Sequence, residues 1–538
     1  MRFNPKGWWL PVFVVAVLAL SAVFWWPYTI DDTYITLRYA HNLASGHGPV
    51  FNIGERVEGY SCPIWVFGLG CIEWMGGNAE VAAKAIGFLC AIGLVLLLDT
   101  VLQRALQDYR HRRLLSSLMT LWFILVPGVH VYFCSGMETI PFALAAAFCV
   151  SIPVWVSSNA KKAWLMPLGV LAVATLRPEG MLLGALFGLI WFISERSRSV
   201  RLGLCLAGIA VFGLLLLRRQ YYGSWLPNTY FAKPSPLALP IEGLSTLRRI
   251  LYEFDRLFSY DTFRSAVDRL GGFGLLFCVF LACAERIRDR GVWTAAAAVL
   301  VGVVFLFYAP TDWMPAARFA LPFVFPLFFL AGIGIRVLCG FFSQGLHRRP
   351  IAILALSAGC WFLFMARDIV SLVREYSNGS VNAALDGRKY AEIGKWLKEN
   401  GADGDRVLAY EIGAVGYFSD MEVVDHEGLV TPAVSKIIRS AGGYVNVRWN
   451  INPDAMNQVV RYCVDLKPEW FLVRSTTAVP LKAGEPVPQG IADEPIQDAM
   501  LDGLHDAMVL AEKFIVRPAF GGANNMYLLL RRTRNADS

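Results

Sequence analysis

Long apolar runs, separated by short polar connections, occupy the first two thirds of the chain. A transmembrane α-helix needs about 20 predominantly apolar residues, and runs near this length recur throughout the region. The pattern predicts about eleven spanning helices, at residues 8–28, 79–102, 114–131, 139–157, 163–176, 180–194, 202–217, 271–284, 291–309, 319–338 and 351–367.

Basic residues fall in every second connection between these runs. Cytoplasmic loops of membrane proteins are enriched in Lys and Arg, so the alternation gives an orientation. It predicts a cytoplasmic N-terminus and an extracytoplasmic C-terminus. The basic stretches are Arg2 with Lys6, Arg104 to Arg113, Lys161-Lys162, Arg196 to Arg201, Arg286 to Arg290 and His347 to Arg349.

Composition agrees with a polytopic α-helical membrane protein. Of the 538 residues, 56% are hydrophobic and only 17% are charged, a balance that would leave a soluble protein with large exposed apolar patches. The formal charge of +7 is spread over short loops rather than along one face, so we expect no nucleic-acid partner.

Beyond residue 370 the chain becomes more polar, which predicts two domains, a membrane domain at 1–370 and a soluble extracytoplasmic α/β domain at 371–538. In the second domain we expect a helix at 386–400, strands at 406–410, 470–473 and 526–530, and an exposed loop at 475–500.

Two adjacent carboxylates, Asp31 and Asp32, follow the first apolar run directly. One interpretation is that Asp32 or Thr33 caps the next helix, since both residue types accept hydrogen bonds from free helical N–H groups. The other is that the pair is functional. Residues 34–44 then have helical spacing, and a second surface helix is expected at 63–75, so the first outer loop, about 29–78, is long and structured.

Four further outer connections carry unusual polar residues, and three of them contain arginines, which the positive-inside rule disfavours on that side. They are Cys134 to Thr139, Arg177 to Gly180, Arg218 to Lys233 and Asp312 to Arg318. Each arginine can be an interfacial residue or part of a local ion pair such as Arg177 with Glu179. Together with the Asp pair they indicate a cavity that binds an anionic lipid and performs acid–base chemistry.

Several of these motifs resemble the GT-C membrane glycosyltransferases related to the mycobacterial terminal arabinofuranosyltransferases. The resemblance covers most of the chain. It rests on Asp31 to Ile35, Arg38 to Ala40, Gly46 to Gly48, Val50 to Asn52, Glu55 to Tyr60, Ser135 to Thr139, Arg177 to Gly180, Leu226 to Tyr230 with Lys233, Pro315 with Arg318-Phe319, Tyr410 to Gly413, and Asp425 with Gly428-Leu429.

The resemblance implies a glycosyltransferase (EC 2.4 class) in the bacterial plasma membrane. Such an enzyme takes a sugar, here arabinofuranose, from a polyprenyl-phosphate donor and passes it to an extracytoplasmic glycan, lipid or protein acceptor. The alternatives are a mannosyl- or aminoarabinose-type transferase and, in another class, a transporter or flippase for lipid-linked glycans. A transporter is expected to show paired halves with polar residues near the midplane, whereas here the polar residues gather on one side.

The resemblance also implies roles for single residues. Asp31 or Asp32 is the catalytic carboxylate, acting as general base or as nucleophile. The leaving phosphate is expected to bind cations, namely Arg318, Arg177 and Lys233, followed by Arg38 and Arg56. Substrate-positioning roles are expected for Glu58, Glu138, Asn228, Tyr34 and Glu411.

A divalent cation (Mg, Mn or Ca) between the Asp pair and the phosphate is compatible with this chemistry, because hard cations prefer carboxylate and phosphate oxygens. The scattered cysteines have no metal-ligand spacing, so zinc is not expected.

Overall fold

The computed structural model describes residues 9–232, 278–285, 289–308, 318–345, 387–475, 482–488, 490–504, 508–516 and 525–533. The span expected at 351–367 and half of that expected at 271–284 lie outside these residues.

In the described part of the chain before residue 346, thirteen α-helices are numbered α1 to α13. They are α1 (Trp9–Trp25), α2 (Asp31–Ala44), α3 (Pro63–Trp74), α4 (Ala79–Ala105), α5 (Arg112–Ile124), α6 (Pro127–Tyr132), α7 (Thr139–Ser158), α8 (Leu165–Leu176), α9 (Pro178–Ser194), α10 (Arg198–Tyr222), α11 (Asn228–Ala232), α12 (Arg290–Tyr308) and α13 (Val324–Gly345). Short 3-10 helices precede α8 at Ala160–Trp164 and α13 at Leu321–Phe323, and residues 278–285 are helical.

The C-terminal region mixes helices with one sheet. Its helices are the 3-10 turn Gly387–Tyr390, α14 (Ala391–Asn400), α15 (Gly413–Ser419), α16 (Pro432–Ser440), α17 (Tyr444–Arg448), α18 (Pro453–Asp465) and α19 (Pro495–Leu504), and its strands are β1 (Arg406–Ala409), β2 (Glu422–Asp425), β3 (Trp470–Ser475), β4 (Met508–Val516) and β5 (Asn525–Arg532).

The apolar runs are helical over most of the residues that the structure describes. Among the described residues, four helices are long and apolar enough to cross a membrane, at Ala79–Ala105, Thr139–Ser157, Arg198–Tyr222 and Leu321–Gly340. Shorter apolar helices include Trp9–Trp25, Pro178–Ser194 and Arg290–Phe305. The run at 114–131 is two helices rather than one, because the first ends at Ile124 and Pro127 begins the next.

The chain divides into two compact units. Unit 1 comprises Met1–Pro27, Val81–Leu215 and Ile241–Glu375, and unit 2 comprises Tyr28–Glu80, Leu216–Pro240 and Tyr376–Ser538, as far as the structure describes these ranges. A simple division at residue 370 therefore does not reproduce the compact units, because the first outer loop groups with the C-terminal region.

In unit 1, Gly180 lets α8 and α9 approach closely. A Cβ atom at Gly180 would overlap the carbonyl oxygen of Val173 and lie 2.9 Å from the Phe142 ring. The obstructing group is backbone, which has little freedom to move inside a packed bundle.

We expect Gly180→Ala to lower the thermal unfolding midpoint of the detergent-solubilised protein, because α9 must shift away from α8. The matched control is Gly208→Ala in α10, where a Cβ meets nothing within 4 Å and alanine favours the helix by about 1 kcal/mol. Differential scanning fluorimetry checks both variants. An unchanged midpoint for Gly180→Ala would contradict the close packing.

Unit 2 is built on a five-stranded sheet with the order β2-β1-β3-β5-β4. Strands β2, β1 and β3 are parallel, with Leu408 of β1 opposite both Val424 and Phe471, while β5 runs antiparallel to β3 and β4. The side chains of Val407, Leu408 and Ala409 have no exposed surface, as expected for a central parallel strand covered on both faces.

The predictions for this region are largely confirmed. The predicted strands correspond to β1, β3 and β5, and the amphipathic helix is α14, which ends before Gly401. The exposed loop expected at 475–500 is wrong in part, because Ile491 and Ile496 are buried and α19 begins at Pro495. Proline at the start of a helix is tolerated, since its missing N–H is unpaired there anyway.

Candidate functional site

The Asp pair forms the first turn of α2. The helix begins at Asp31, and Ile30 is its N-cap with extended backbone and no capping side chain. The prediction that Asp32 or Thr33 caps this helix is therefore wrong. Carboxylates in the first turn of a helix are stabilised by the positive end of its dipole, so both residues stand where a negative charge is favoured.

The side chain of Asp31 accepts hydrogen bonds from a segment of the C-terminal region. Its Oδ2 accepts a hydrogen bond from the Gly413 N–H at 3.0 Å, and its Oδ1 accepts one from the Ala414 N–H at 2.8 Å. These are the first two residues of α15, so the Asp31 carboxylate satisfies N–H groups that lack helical partners. Asp31 thus joins two segments that are distant in the sequence.

Glu411 lies beside this contact. Its Oε1 accepts hydrogen bonds from the hydroxyls of Tyr390 at 2.8 Å and Tyr527 at 3.2 Å. Burial, together with the Glu411 and Asp32 charges, raises the pKa of Asp31 from 3.8 to about 8 despite the two N–H donors. A carboxyl group with this pKa is largely protonated at neutral pH.

We expect unit 2 to lose stability as the pH rises from about 4 to about 8. The folded state holds a proton on Asp31 that the unfolded state has released, because the pKa of Asp31 is raised to about 8 in the fold. Thermal unfolding measured across this range should show a smaller decline in Asp31→Asn than in the unchanged protein. Identical pH profiles would contradict the raised pKa.

Both Asp31 oxygens already accept peptide N–H groups, so a divalent cation at the Asp pair would compete with these donors for Asp31. Among the described residues, no group of three or more His, Cys, Asp or Glu side chains could hold a metal ion.

Arg38 binds backbone carbonyls, which argues against the expected phosphate-binding role. Its Nε donates to Phe51 O at 2.7 Å, Nη2 donates to Met421 O at 2.5 Å, and Nη1 donates to Gly416 O. The side chain is only 5% exposed, and burial lowers the pKa of Arg38 to about 10. Arg38 therefore fixes the first outer loop to the C-terminal region.

Two further candidates have structural contacts within unit 2. Asn228 donates to the carbonyls of Gly428 and Leu429 at 2.7 and 2.8 Å, and its Oδ1 accepts from Ser435 at 2.9 Å. Tyr34 is buried and its ring packs against Phe418 at a centroid distance of 5.2 Å. For both residues, these contacts support positioning of the chain more than direct contact with a substrate.

Glu58 forms a buried ion pair with Arg218. The Arg218 Nε lies 2.8 Å from Glu58 Oε2, and both side chains are at most 9% exposed. Burial raises the pKa of Glu58 to about 7 although Arg218 opposes the shift. Arg218 was not singled out from the sequence, although its place in an outer connection was a signal. Arg56 is exposed and lies 4.8 Å from the Tyr221 ring centroid.

In unit 1, the predicted charges form a buried cluster, here called the Arg–Glu cluster, of Glu138, Arg177, Glu179 and Arg318. Arg177 pairs with both Glu138 and Glu179 in one network. Arg318 is 4% exposed, and its Nη1 lies 3.7 Å from the Met137 sulfur. Two carboxylates therefore neutralise Arg177. The phosphate-binding role of Arg318 stays a prediction.

Sequence analysis also missed Lys84. It lies in α4 inside an apolar run, is 1% exposed, and donates to the Trp26 carbonyl at 2.8 Å. A buried lysine in a membrane helix is uncommon and marks a functional candidate.

Lys233 lies outside the described residues, so its role in phosphate binding stays a prediction.

Sequence comparisons give partial matches. A family model described as a domain of unknown function, DUF8728, matches residues 380–525. The terminal β-(1→2)-arabinofuranosyltransferase of Mycobacterium tuberculosis is 32% identical over 244 residues, which cover 42% of this chain and 38% of that protein. The protein of the same name from Corynebacterium glutamicum is 24% identical over 262 residues, which cover 42% of this chain and 36% of that protein. The matches thus span less than half the length of these relatives.

Structural comparison covers nearly the whole chain. ArnT from Cupriavidus metallidurans, solved with undecaprenyl phosphate, matches with a TM-score of 0.55 and 10% identity over 98% of both chains. An Archaeoglobus fulgidus oligosaccharyltransferase matches with a TM-score of 0.51 and 10% identity over 86% of this chain and 67% of that one. The chain therefore has the GT-C fold of polytopic membrane glycosyltransferases, and part of its sequence is homologous to terminal β-(1→2)-arabinofuranosyltransferases.

Proposed function

We propose that this chain is a glycosyltransferase that moves arabinofuranose from a polyprenyl-phosphate donor to a hydroxyl group of an extracytoplasmic glycan. The observation that carries the proposal is the homology to terminal arabinofuranosyltransferases, joined to a GT-C fold. The undecaprenyl phosphate bound by ArnT supports a donor of the same chemical class.

Asp32 is the catalytic carboxylate in this proposal. Both Asp31 oxygens are engaged by the Gly413 and Ala414 N–H groups, so this carboxyl group holds the first outer loop to the C-terminal region. Asp32 stands beside Asp31 in the first turn of α2. A carboxylate within hydrogen-bond reach of the acceptor hydroxyl removes its proton as the sugar–phosphate bond breaks.

The phosphate leaves with negative charge that a cation must stabilise. Arg318 is assigned to this role because it is a buried cation in one of the outer connections whose motifs resemble those of the GT-C glycosyltransferases. An arginine can bind two phosphate oxygens through parallel N–H donors. Glu58 and Glu138 act by holding Arg218 and Arg177 in place.

The stereochemistry of the product separates two routes. If Asp32 is a general base, the acceptor oxygen attacks the anomeric carbon from the side opposite the phosphate, and the configuration inverts. If Asp32 attacks first, a glycosyl–enzyme intermediate forms and the acceptor then displaces it with overall retention. Proton NMR of the product linkage distinguishes the two.

The test is turnover by purified protein in lipid nanodiscs. Polyprenyl-phosphate arabinose, the mannose analogue and the aminoarabinose analogue are supplied separately with an arabinan acceptor or lipid A. Transfer from the arabinose donor to arabinan supports the proposal. Transfer only of mannose, or only of aminoarabinose to lipid A, assigns the chain to that activity instead.

A further inference from the structure

A group of aromatic and charged side chains lies at one edge of the sheet in unit 2. Strands β1 and β2 are parallel neighbours, so their carboxyl ends share an edge, and Tyr410 and His426 follow these ends directly. In open α/β sheets, ligands bind outside the carboxyl ends of the strands. The carboxyl-edge cluster, as we call it, consists of Tyr410, His426, Tyr444, Arg448, Trp449 and Glu494.

The aromatic members are arranged around one guanidinium. The rings of Tyr410 and His426 stack at a centroid distance of 5.9 Å. The Arg448 guanidinium lies 5.1 Å from the Tyr410 centroid and 5.5 Å from the Trp449 centroid. Trp449 is 50% exposed, so an indole that a core would ordinarily bury stands at the surface. Exposed aromatic faces of this kind can stack on the C–H groups of a sugar ring.

Buried polar atoms in the cluster lack partners. His426 has no exposed surface, and although its Nδ1 lies 3.1 Å from the Tyr444 hydroxyl, its Nε2 has no hydrogen-bond partner among the described residues. Glu494 is 1% exposed and pairs with Arg448 through Oε1, while its Oε2 likewise lacks one. A buried polar atom without a partner costs about 1–3 kcal/mol, which a ligand hydroxyl would recover.

The protonation states suit a neutral, hydroxyl-bearing ligand. Burial and the Arg448 charge lower the pKa of His426 to about 3, so its imidazole is neutral and has one donor and one acceptor nitrogen. Burial and the Asp425 charge raise the pKa of Glu427 well above its usual value, which favours a protonated carboxyl beside the cluster. Because Arg448 is paired with Glu494 and His426 is neutral, the cluster matches the hydroxyls of a sugar better than a phosphate.

We propose that the carboxyl-edge cluster binds a neutral sugar residue of the acceptor glycan, with Trp449 stacking on the ring and His426, Arg448 and Glu494 bonding to its hydroxyls. The assignment of this glycan as the acceptor rests on the proposed function. Glu411 follows Tyr410 directly and its charge acts on Asp31, so within unit 2 the cluster adjoins the Asp pair.

The test measures binding without turnover, using the full-length protein and no donor. A soluble arabinofuranosyl oligosaccharide and a mannosyl oligosaccharide are titrated while tryptophan fluorescence and saturation-transfer NMR are recorded. We expect the arabinofuranosyl ligand to bind, with affinity at least tenfold weaker in Trp449→Ala. Ile451→Ala is the matched control, because Ile451 is 65% exposed and lies two positions away, and its affinity should stay within twofold.

A second variant guards against a folding artefact. Arg448→Lys keeps the charge but loses the planar guanidinium, and we expect it to weaken binding while the thermal unfolding midpoint shows a folded protein. Absence of binding to either oligosaccharide, or equal binding by Trp449→Ala, overturns the proposal. If the arabinofuranosyl ligand binds but no donor is turned over, the proposed function fails while the sugar site stands.

Discussion

Replacing Asp32 with asparagine is expected to lower the transfer rate by about 10²–10⁴-fold, the usual contribution of a positioned general base. Asparagine keeps the shape of the side chain but cannot accept the proton of the acceptor hydroxyl. Single-turnover assays with polyprenyl-phosphate arabinose measure the rate, and donor binding measured separately should be unchanged.

Asp31→Asn is the matched control in the adjacent position. Its amide oxygen can replace only one of the two acceptors used by Gly413 and Ala414, and its NH₂ group would face a peptide N–H. We expect lower thermal stability and only a partial loss of rate. The opposite result is full turnover by Asp32→Asn together with an inactive Asp31→Asn of normal stability. It would make Asp31 the catalytic carboxylate in place of Asp32.

Arg177→Met is expected to destabilise unit 1 by about 3–5 kcal/mol, because it leaves the buried carboxylates of Glu138 and Glu179 without their cation. Thermal unfolding of the solubilised protein measures the loss. Changing both glutamates to glutamine in the same chain should recover most of it, since no buried charge then remains unpaired.

Arg318→Met separates stability from catalysis in the same cluster. If Arg318 stabilises the leaving phosphate, its removal should lower the rate by about 10²–10³-fold, the usual effect of losing one donor to a developing charge. The unfolding midpoint should fall less than in Arg177→Met. A normal rate in Arg318→Met would leave Arg318 with no part in the chemistry.

Local pattern was enough to predict most of the fold. Long apolar runs predicted the helices, short apolar runs predicted β1, β3 and β5, and the break after residue 44 predicted the end of α2 correctly. These features depend on neighbours within a few residues. Lys84 was not predicted to be a candidate, because a single charge hardly changes the mean hydropathy of the long apolar run that forms α4.

The roles of Arg38, Asn228 and Asp31 could not be predicted from the sequence. Most of their partners are backbone groups of residues beyond position 410, and no local signal in the sequence marks a backbone group as the partner of a distant side chain. An arginine that binds phosphate and one that binds peptide carbonyls look alike in a sequence. Only the fold distinguishes them.

The long-range bonds of the first outer loop have a consequence for biosynthesis. A ribosome completes Arg38 and Asn52 well before it makes Met421 and Val423, which receive their hydrogen bonds. Throughout translation of the intervening chain, the loop has polar groups that only water or a chaperone can satisfy. Its final structure must therefore form after synthesis is nearly complete, and a nascent chain halted before residue 410 should present this loop to proteases.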